Sequence, residues 1–373
     1  MEILFVSHKY PPAIGGMEKH SFELICGMEK LTAVHKIVYD GRGSRLRFFL
    51  TLEKQILRLL KAHPGIRIVH FNDGLMAAFC SFHTLYTHIA RTATLHGLDV
   101  VFPLGVYRKF ILKRFNAYRV LIAVSEETRR QAIARGILPE KIVVIPNGAD
   151  TAEDAAVPVF KARFPGKKLL VLLGRPVKRK GFSWFIERVL PLLRPEFHLL
   201  IAGPFHPLPT FTERLLYGLP GFIRKPVMLF SGYPSDEARL RKLLHHHPRA
   251  THLGKLPKGE IRQLLKSADV FLMPNIREEG DMEGFGLVCL EASGAGALVM
   301  AADTDGIPSA IQQDKNGILL PSGQAEIWAG ALNRLIPDAE SYRRLASDFS
   351  AYTRKNYNWE IMVKAYYDLF RAI

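Results

Sequence analysis

Cysteine is scarce. The 373-residue sequence has three, Cys26, Cys80 and Cys289, far apart along the chain. They form no Cys-x-x-Cys pair and no Cys/His ligand spacing. That excludes a disulfide framework and a zinc-finger-type site, and it fits a reducing compartment. No apolar run approaches the ~20 residues of a membrane span. The chain opens on an apolar strand, Glu2–Val6, with neither a basic n-region nor a long apolar h-region. No secretory signal is read there, and a cytoplasmic location is expected. The dinucleotide fingerprint G-x-G-x-x-G is missing, and no Asp-x-Asp metal clamp stands out.

What is plentiful is positive charge: Lys and Arg number 51 against 35 Asp and Glu, a formal net charge of +16. An excess of that size points to an anionic partner: nucleic acid, an anionic membrane surface or a phosphorylated substrate. The balance of 48% hydrophobic and 23% charged residues is that of a globular chain, and its length suits two domains. The triplet His245–His247 lies in a basic helical stretch before Pro248. Adjacent residues on a helix do not face one way, so it reads as a surface feature rather than a metal site.

Short apolar runs alternate with amphipathic stretches through the first half. Ile3–Ser7, Lys36–Tyr39, Arg67–His70, Arg91–Leu95, Val120–Val124 and Ile142–Ile145 read as buried strands. Met17–Lys30, Thr51–Ala62 and Glu126–Arg135 read as helices. The pattern predicts an α/β domain with a parallel sheet covered on both faces. Residues 151–166 lose the periodicity and carry Pro158 and Pro165; they are expected to link residues 1–150 to a second domain, 167–356. There the alternation restarts, with strands Lys168–Leu173, His198–Ala202, Val270–Met273 and Ala297–Ala301. Helices are expected at Phe182–Leu190, Lys258–Ser267 and from about Phe285 to Gly294, and one or two more over Glu340–Ile373. Two doubly wound domains in tandem create a cleft, and ligands of such sheets bind beyond the carboxyl ends of the strands.

Three segments just after strands carry chemistry. In the first, His8-Lys9-Tyr10-Pro11-Pro12-Ala13-Ile14-Gly15-Gly16, the paired glycines let a backbone approach a ligand at a helix N-terminus; a plain tight turn is the competing reading. In the second, Gly174-Arg175-Pro176-Val177-Lys178-Arg179-Lys180-Gly181, four cations stand between glycines. Such a loop suits phosphate oxygens, unless it is merely solvated. In the third, Glu283-Gly284-Phe285-Gly286-Leu287-Val288-Cys289-Leu290-Glu291, two glutamates flank a helix start. Placed on one helix, they would be ~12 Å apart along the axis and ~80° apart around it. That suits two contacts to one long ligand, not the carboxylate pair of a glycoside hydrolase at ~5–9.5 Å.

In this order the segments resemble the family 4 retaining glycosyltransferases of the GT-B fold, with two Rossmann-like domains facing across a cleft. Ser125-Glu126, Pro146-Asn147-Gly148, Ala268-Asp269-Val270 with Pro274, and Asn316-Gly317 match as well. The resemblance covers nearly the whole chain, and its specific motifs lie in the second half. It implies sugar transfer from a UDP- or GDP-linked donor to a cell-surface glycan or lipid-linked acceptor, without a metal or other cofactor. Arg175 and Lys180 would neutralise the donor diphosphate, and Glu283 would face the donor sugar. Phe285, Gly286 and Leu287 would offer backbone contacts, and Glu291 would bind the ribose hydroxyls. Gly15 and Gly16 would let the first domain approach the diphosphate, His96 would lie near the reacting sugar, and Leu256 would cradle the base. The last helix, 357–373, would return to the first domain. Two departures stand out. The loop Asp303-Thr304-Asp305-Gly306-Ile307-Pro308-Ser309 keeps one glycine where the family commonly has two and puts Ser309 where glutamate is common. The approach Asn275–Met282 is longer than usual.

Two stretches, Arg45–Leu50 and Tyr107–Phe115, mix cations with aromatic and aliphatic residues. They suit the surface of an anionic bilayer, and equally an ordinary amphipathic helix with solvated charges. Peripheral contact with the inner face of the cytoplasmic membrane is the expectation. A sugar phosphorylase or nucleotide-sugar epimerase is the enzymic alternative. A basic nucleic-acid-binding protein is the non-enzymic one, though no recognised binding module is present and nucleic acid is not an expected partner.

Overall fold

In the computed structural model, residues 1–150, 157–205, 218, 220–231 and 235–373 are described. They divide into two units, Met1–Ala149 with Tyr357–Ile373, and Asp150–Asn356. Each is built on its own six-stranded sheet.

The first sheet comprises β1 (Glu2–Ser7), β2 (Ala33–Val38), β3 (Ile66–Phe71), β4 (Ala90–Leu95), β5 (Val120–Ala123) and β6 (Ile142–Val144). Their order is β2-β1-β3-β4-β5-β6, and every pairing is parallel. Of the inner strands, β1 and β5 carry continuous apolar runs, Ile3–Val6 and Val120–Ala123, as expected of strands covered on both faces. On one face the helix Trp359–Arg371 buries Met362, Val363, Tyr366 and Phe370 among Ile3, Phe5, Leu24, Ile25 and Met28. That helix starts where the Asn358 side chain accepts a hydrogen bond from Ile361 N at 2.9 Å, a normal N-cap. Just before it, Tyr357 O accepts from Ala149 N at 3.0 Å, so the end of the chain is tied to the end of residues 1–149.

The second sheet comprises β7 (Lys168–Leu173), β8 (Phe197–Ala202), β9 (Ala250–His252), β10 (Val270–Met273), β11 (Leu298–Ala302) and β12 (Ile318–Leu320). Their order is β12-β11-β10-β7-β8-β9, again all parallel. Its core gathers Phe182, Phe185, Phe197, Trp328 and Phe349.

Several boundaries differ from the sequence expectation. Of the stretch 151–166, residues 151–156 lie outside the described set. Val159–Ala162 form one helical turn whose Phe160 is buried, with Phe160 N donating to Ser267 Oγ at 3.2 Å. The helix expected over Phe182–Leu190 is a chain of short helical turns, the middle one wide, ending in a 3₁₀ turn at Leu190–Leu192; Pro191, without an N–H, cannot continue an α-helix. The helix expected from Phe285 starts at Leu287, because Gly286 takes a left-handed conformation at φ 94°.

In each sheet the chain reverses direction once. β2 and β3 flank β1, and β8 and β10 flank β7. The crevices for ligands therefore open beyond the carboxyl ends of β1/β3 and of β7/β10.

Candidate active site

In the second unit the loop after β7 and the segment after β10 meet at that crevice. Gly181 closes the loop at φ 67°, and a Cβ there would stand 2.0 Å from Pro274 O. Only glycine lets the two segments pack so closely. Ile276 N donates to Arg179 O at 2.8 Å, which fixes the segment's course. Glu283 then reaches back. Its carboxylate takes a hydrogen bond from Arg179 Nη1 and lies 2.8 Å from Lys180 Nζ. Arg179 Nε is also 3.3 Å from Asp281 Oδ1. The three members of the inner cluster are largely buried, with side-chain exposures of 12% for Arg179, 14% for Lys180 and 17% for Glu283. Burial alone would raise the Glu283 carboxyl, but the adjacent Arg179 and Lys180 hold it well below the usual carboxylate range. Burial likewise works against the Arg179 charge, and Glu283 and Asp281 restore it.

This corrects the geometry expected of the two glutamates. Glu283 precedes the helix by four residues, so helical arithmetic does not relate it to Glu291, which lies on the helix Leu287–Gly294. Glu283 is directed instead by a brace from the loop after β11. Gly306 N donates to Glu283 O at 2.9 Å, and Asp305 Oδ2 accepts from Glu283 N at 3.2 Å. Asp305 itself is left-handed, at φ 54°, a conformation that Asp tolerates better than most residues. The loop thus keeps its turn with one glycine. It also supplies an Asp-x-Asp spacing, Asp303-Thr304-Asp305, that the sequence expectation passed over; Asp305 is engaged in this backbone brace.

Gly286 caps the helix Leu287–Gly294 without any side-chain hydrogen bond, and no acidic residue occupies the first turn. Its leading N–H groups therefore form a positive, uncapped helix end. Phe285 is buried beside it. Lys180 and Glu283 are thus brought together as a contact pair. Arg175 is exposed at the start of the loop, Glu291 is half-buried on the helix, and Leu256 is half-exposed after β9, at the far side of the sheet from β10. Sequence reasoning did not single out Arg179 or Asp281. Nothing in a run of four cations distinguishes those that turn inward, Arg179 and Lys180.

In the first unit the crevice beyond β1 and β3 is rich in histidine. His8 Nδ1 lies 2.9 Å from Asp73 Oδ2, with side-chain exposures of 3% and 4%; the contact is a close pairing rather than a well-directed hydrogen bond. Asp73 also N-caps the helix Gly74–Cys80 through Met76 N at 2.9 Å. Its carboxyl, which burial would raise, is held below its ordinary range by His8. His96 follows β4. Its backbone N donates to both Asp99 carboxylate oxygens at 3.0 and 2.9 Å, and its Nε2 lies 2.9 Å from Asn72 O. A carbonyl only accepts, so Nε2 carries the proton and a neutral ring keeps its lone pair on Nδ1. His20 stands edge-on to His96 at 4.9 Å between ring centroids, with its Nδ1 2.9 Å from Asn147 Oδ1. Burial pushes His20 well below the ordinary histidine value. It also pushes His70, between the Thr92 and Thr94 hydroxyls, down to about 3. Gly15 and Gly16 lie outside this histidine group, at the start of the helix Gly16–Glu29.

Among the described residues one group of three could hold a metal ion, Glu2, His35 and His63. Glu2 begins β1 and His63 precedes β3, so the group sits at the opposite end of the sheet from these crevices.

The comparisons with known proteins point one way. The family described as Glycosyl transferases group 1 matches residues 158–355, and the family described as Glycosyltransferase Family 4 matches residues 14–153. The chain is similar to a GDP-mannose-dependent alpha-(1-6)-phosphatidylinositol monomannoside mannosyltransferase of Mycobacterium tuberculosis, 24% identical over 99% of this chain and 98% of that one. It is also similar to a phosphatidyl-myo-inositol mannosyltransferase of Mycolicibacterium smegmatis, 25% identical over 87% of this chain and 76% of that one. Its fold is that of Anabaena HepE, solved with UDP and glucose, with a TM-score of 0.74 at 17% identity over the full length of both chains. Two Rossmann-like parallel sheets, with family matches that together span most of the sequence, place this chain in the glycosyl transferases group 1, as a family 4 glycosyltransferase of the GT-B fold.

Proposed function

We propose that the protein transfers a hexose, with retention of anomeric configuration, from a UDP- or GDP-linked donor to a lipid-linked or glycan acceptor of the cell envelope, without a metal ion. The observation that carries this reading is the charge arrangement beyond β7 and β10: Arg179 and Lys180 on Glu283, beside an uncapped helix N-terminus at Gly286–Leu287. A departing nucleoside diphosphate gains negative charge as the sugar bond breaks. Cations and helix N–H groups fixed beforehand stabilise that charge without reorganising. In this role Arg175 and Lys180 meet the diphosphate, and the backbone of Phe285, Gly286 and Leu287 meets phosphate and sugar. Glu283 accepts from the sugar hydroxyls, and Glu291 from the ribose. Leu256 lies against the base. Gly15, Gly16 and His96 serve from the first unit.

Membrane contact is part of the same proposal. The helix Arg45–Ala62 leaves Leu46 and Leu50 69% and 70% exposed beside Arg45 and Arg47, and Phe110 is 58% exposed beside Arg108 and Lys109. Exposed apolar side chains set among cations suit an anionic bilayer surface. Among the described residues no helix is long and apolar enough to cross a membrane. The relatives named for phosphatidylinositol monomannoside and for phosphatidyl-myo-inositol favour a lipid acceptor.

The test is a transfer assay with UDP- and GDP-hexoses, EDTA and a polar-lipid extract, read by nucleoside diphosphate release and by NMR of the new anomeric bond. A retained configuration at undiminished rate in EDTA is expected. An inverted product, or a strict need for Mg²⁺ or Mn²⁺, would overturn the mechanism.

A further inference from the structure

We infer that Glu2, His35 and His63 bind one divalent ion of the zinc class, which ties the end of the helix Arg45–Ala62 to β1 and β2. The inference stands apart from the transferase reading. The group lies within the first unit, at the opposite end of its sheet from the crevice, so the ion is structural and has no part in sugar transfer.

Three separate stretches of backbone place the ligands. In the parallel pairing of β1 with β2, Glu2 is in register with Ala33. His35 stands two residues further along β2, so its side chain shares a face of the sheet with that of Glu2. Its Nε2 lies 2.7 Å from Glu2 Oε2. His63 follows the last residue of the helix, and its backbone is held twice. Its N donates to Leu59 O at 2.8 Å, and its O accepts from Ile66 N at 3.1 Å. Pro64 and Gly65 complete the turn into β3. Gly65 matters to the carboxylate. Its O accepts from Glu2 N at 3.2 Å, and a Cβ there would stand 2.3 Å from Glu2 Oε1, so a larger residue would push the carboxylate from its place. No local spacing marks the group, since it forms only where β1, β2 and the turn before β3 meet.

The imidazole rings of His35 and His63 are 4.0 Å apart between centroids and 33° from parallel. Among the described residues the His63 ring has that contact and no hydrogen bond. One ligand atom from each of the three residues lies within 4.8 Å of the other two. Zinc bonds of about 2.0–2.2 Å set tetrahedral ligand atoms about 3.4 Å apart, so side-chain movements of about 1 Å close the group around an ion. Two imidazole nitrogens and a carboxylate oxygen suit Zn²⁺, Co²⁺ or Ni²⁺ rather than Mg²⁺ and Ca²⁺, which take oxygen ligands. The ion takes the place of the proton between His35 Nε2 and Glu2, and the neutral ring then carries its proton on Nδ1. The side chains of His35 and Glu2 are 19% and 32% exposed, so water reaches the ion and completes its shell.

The experiment titrates the full chain, stripped with EDTA and then freed of the chelator, with Zn²⁺ by calorimetry and with Co²⁺ by visible absorption. The variants are Glu2→Gln, His35→Gln and His63→Gln. A control combines His245→Ala, His246→Ala and His247→Ala, which removes the other histidine cluster of the sequence. One Zn²⁺ per chain is expected, without competition from Mg²⁺. Each ligand variant should weaken binding by at least about tenfold, since loss of even an outer-shell partner does so, and the control should match wild type. Co²⁺ should give d–d bands without thiolate charge-transfer absorption. Zn²⁺ should also slow hydrogen exchange over residues 59–66 in wild type and not in His63→Gln. The ligands are partly exposed, so circular dichroism of the variants should match wild type; the Co²⁺ spectrum of wild type tests the site without any variant. Uptake of less than one Zn²⁺ per chain, affinity within threefold of wild type in His35→Gln and His63→Gln, loss of binding in the His245–His247 control, a thiolate band, or unchanged exchange over residues 59–66 would overturn the assignment. None of these readings uses a sugar donor, so failure here leaves the transferase reading standing.

Discussion

Replacing Glu283 by glutamine keeps the shape of the side chain and removes one charge from a largely buried cluster. Arg179, 12% exposed, then faces only Asp281 at 3.3 Å and the more distant Asp305. Removing one partner of a buried ion pair costs about 3–5 kcal/mol, because the other charge stays desolvated. With Asp281 still in place, the lower end applies, about 3 kcal/mol. At a urea m-value of about 2 kcal/mol/M, that moves the midpoint down by about 1.5 M. Of the three tryptophans, Trp184 and Trp328 lie in the second unit, with rings 6.2 Å apart, and Trp359 lies in the first, so tryptophan fluorescence in urea follows the affected unit in a Trp359→Phe background. The companion variant Arg179→Met removes the stranded charge. Combined with Glu283→Gln it should cost at least about 1.5 kcal/mol less than the sum of the two single changes. A midpoint shift below about 0.3 M for Glu283→Gln, or strict additivity in the double variant, would show that the cluster is solvated and not the electrostatic frame described above.

Other expectations follow from the same coordinates. Arg175→Ala and Lys180→Ala should each abolish turnover while leaving the far-UV circular dichroism spectrum unchanged; near-wild-type activity in both would remove the diphosphate assignment. Gly181→Ala should lose at least about 3 kcal/mol in urea unfolding, since alanine is strained at φ 67° and its Cβ meets Pro274 O. The first unit should weaken as pH falls. His70, held down to about 3 by burial, and His20 stay neutral in the fold while the unfolded chain takes up protons below about pH 6.5. Stability is thus full above that pH and declines by up to about 1.4 kcal/mol per pH unit for each histidine. His70→Gln should flatten the slope of urea stability against pH between 6.5 and 4, and an unchanged slope would refute the burial argument.

Much of this architecture was legible because parallel strands covered on both faces leave apolar runs such as Leu169–Leu172 in plain view. β9 and β12 escaped notice because each has only three residues at a sheet edge, Ala250–His252 and Ile318–Leu320, too short to show a strand pattern. The motifs were legible as segments but not as contacts. Lys180 and Glu283 were both singled out, yet their pairing depends on Gly181 passing beneath Pro274, which is a tertiary fact. Arg179 was indistinguishable from its basic neighbours for the same reason. The position of Glu283 relative to Glu291 was misjudged because one left-handed glycine, Gly286, delays the helix by two residues. The His8–Asp73 pair joins residues 65 positions apart, and no local pattern announces such a pair. It emerges only when β1 and β3 lie side by side.

The central claim is that the second unit holds a nucleoside diphosphate on fixed cations without a metal. Thermal unfolding in EDTA with UDP, GDP, ADP, CMP and inorganic phosphate tests it most directly, because a ligand that binds only the folded state raises the melting temperature. The account predicts a clear rise with UDP or GDP that disappears in Arg175→Ala and Lys180→Ala. No rise with any nucleotide up to millimolar concentration, or a rise with inorganic phosphate alone, would contradict it.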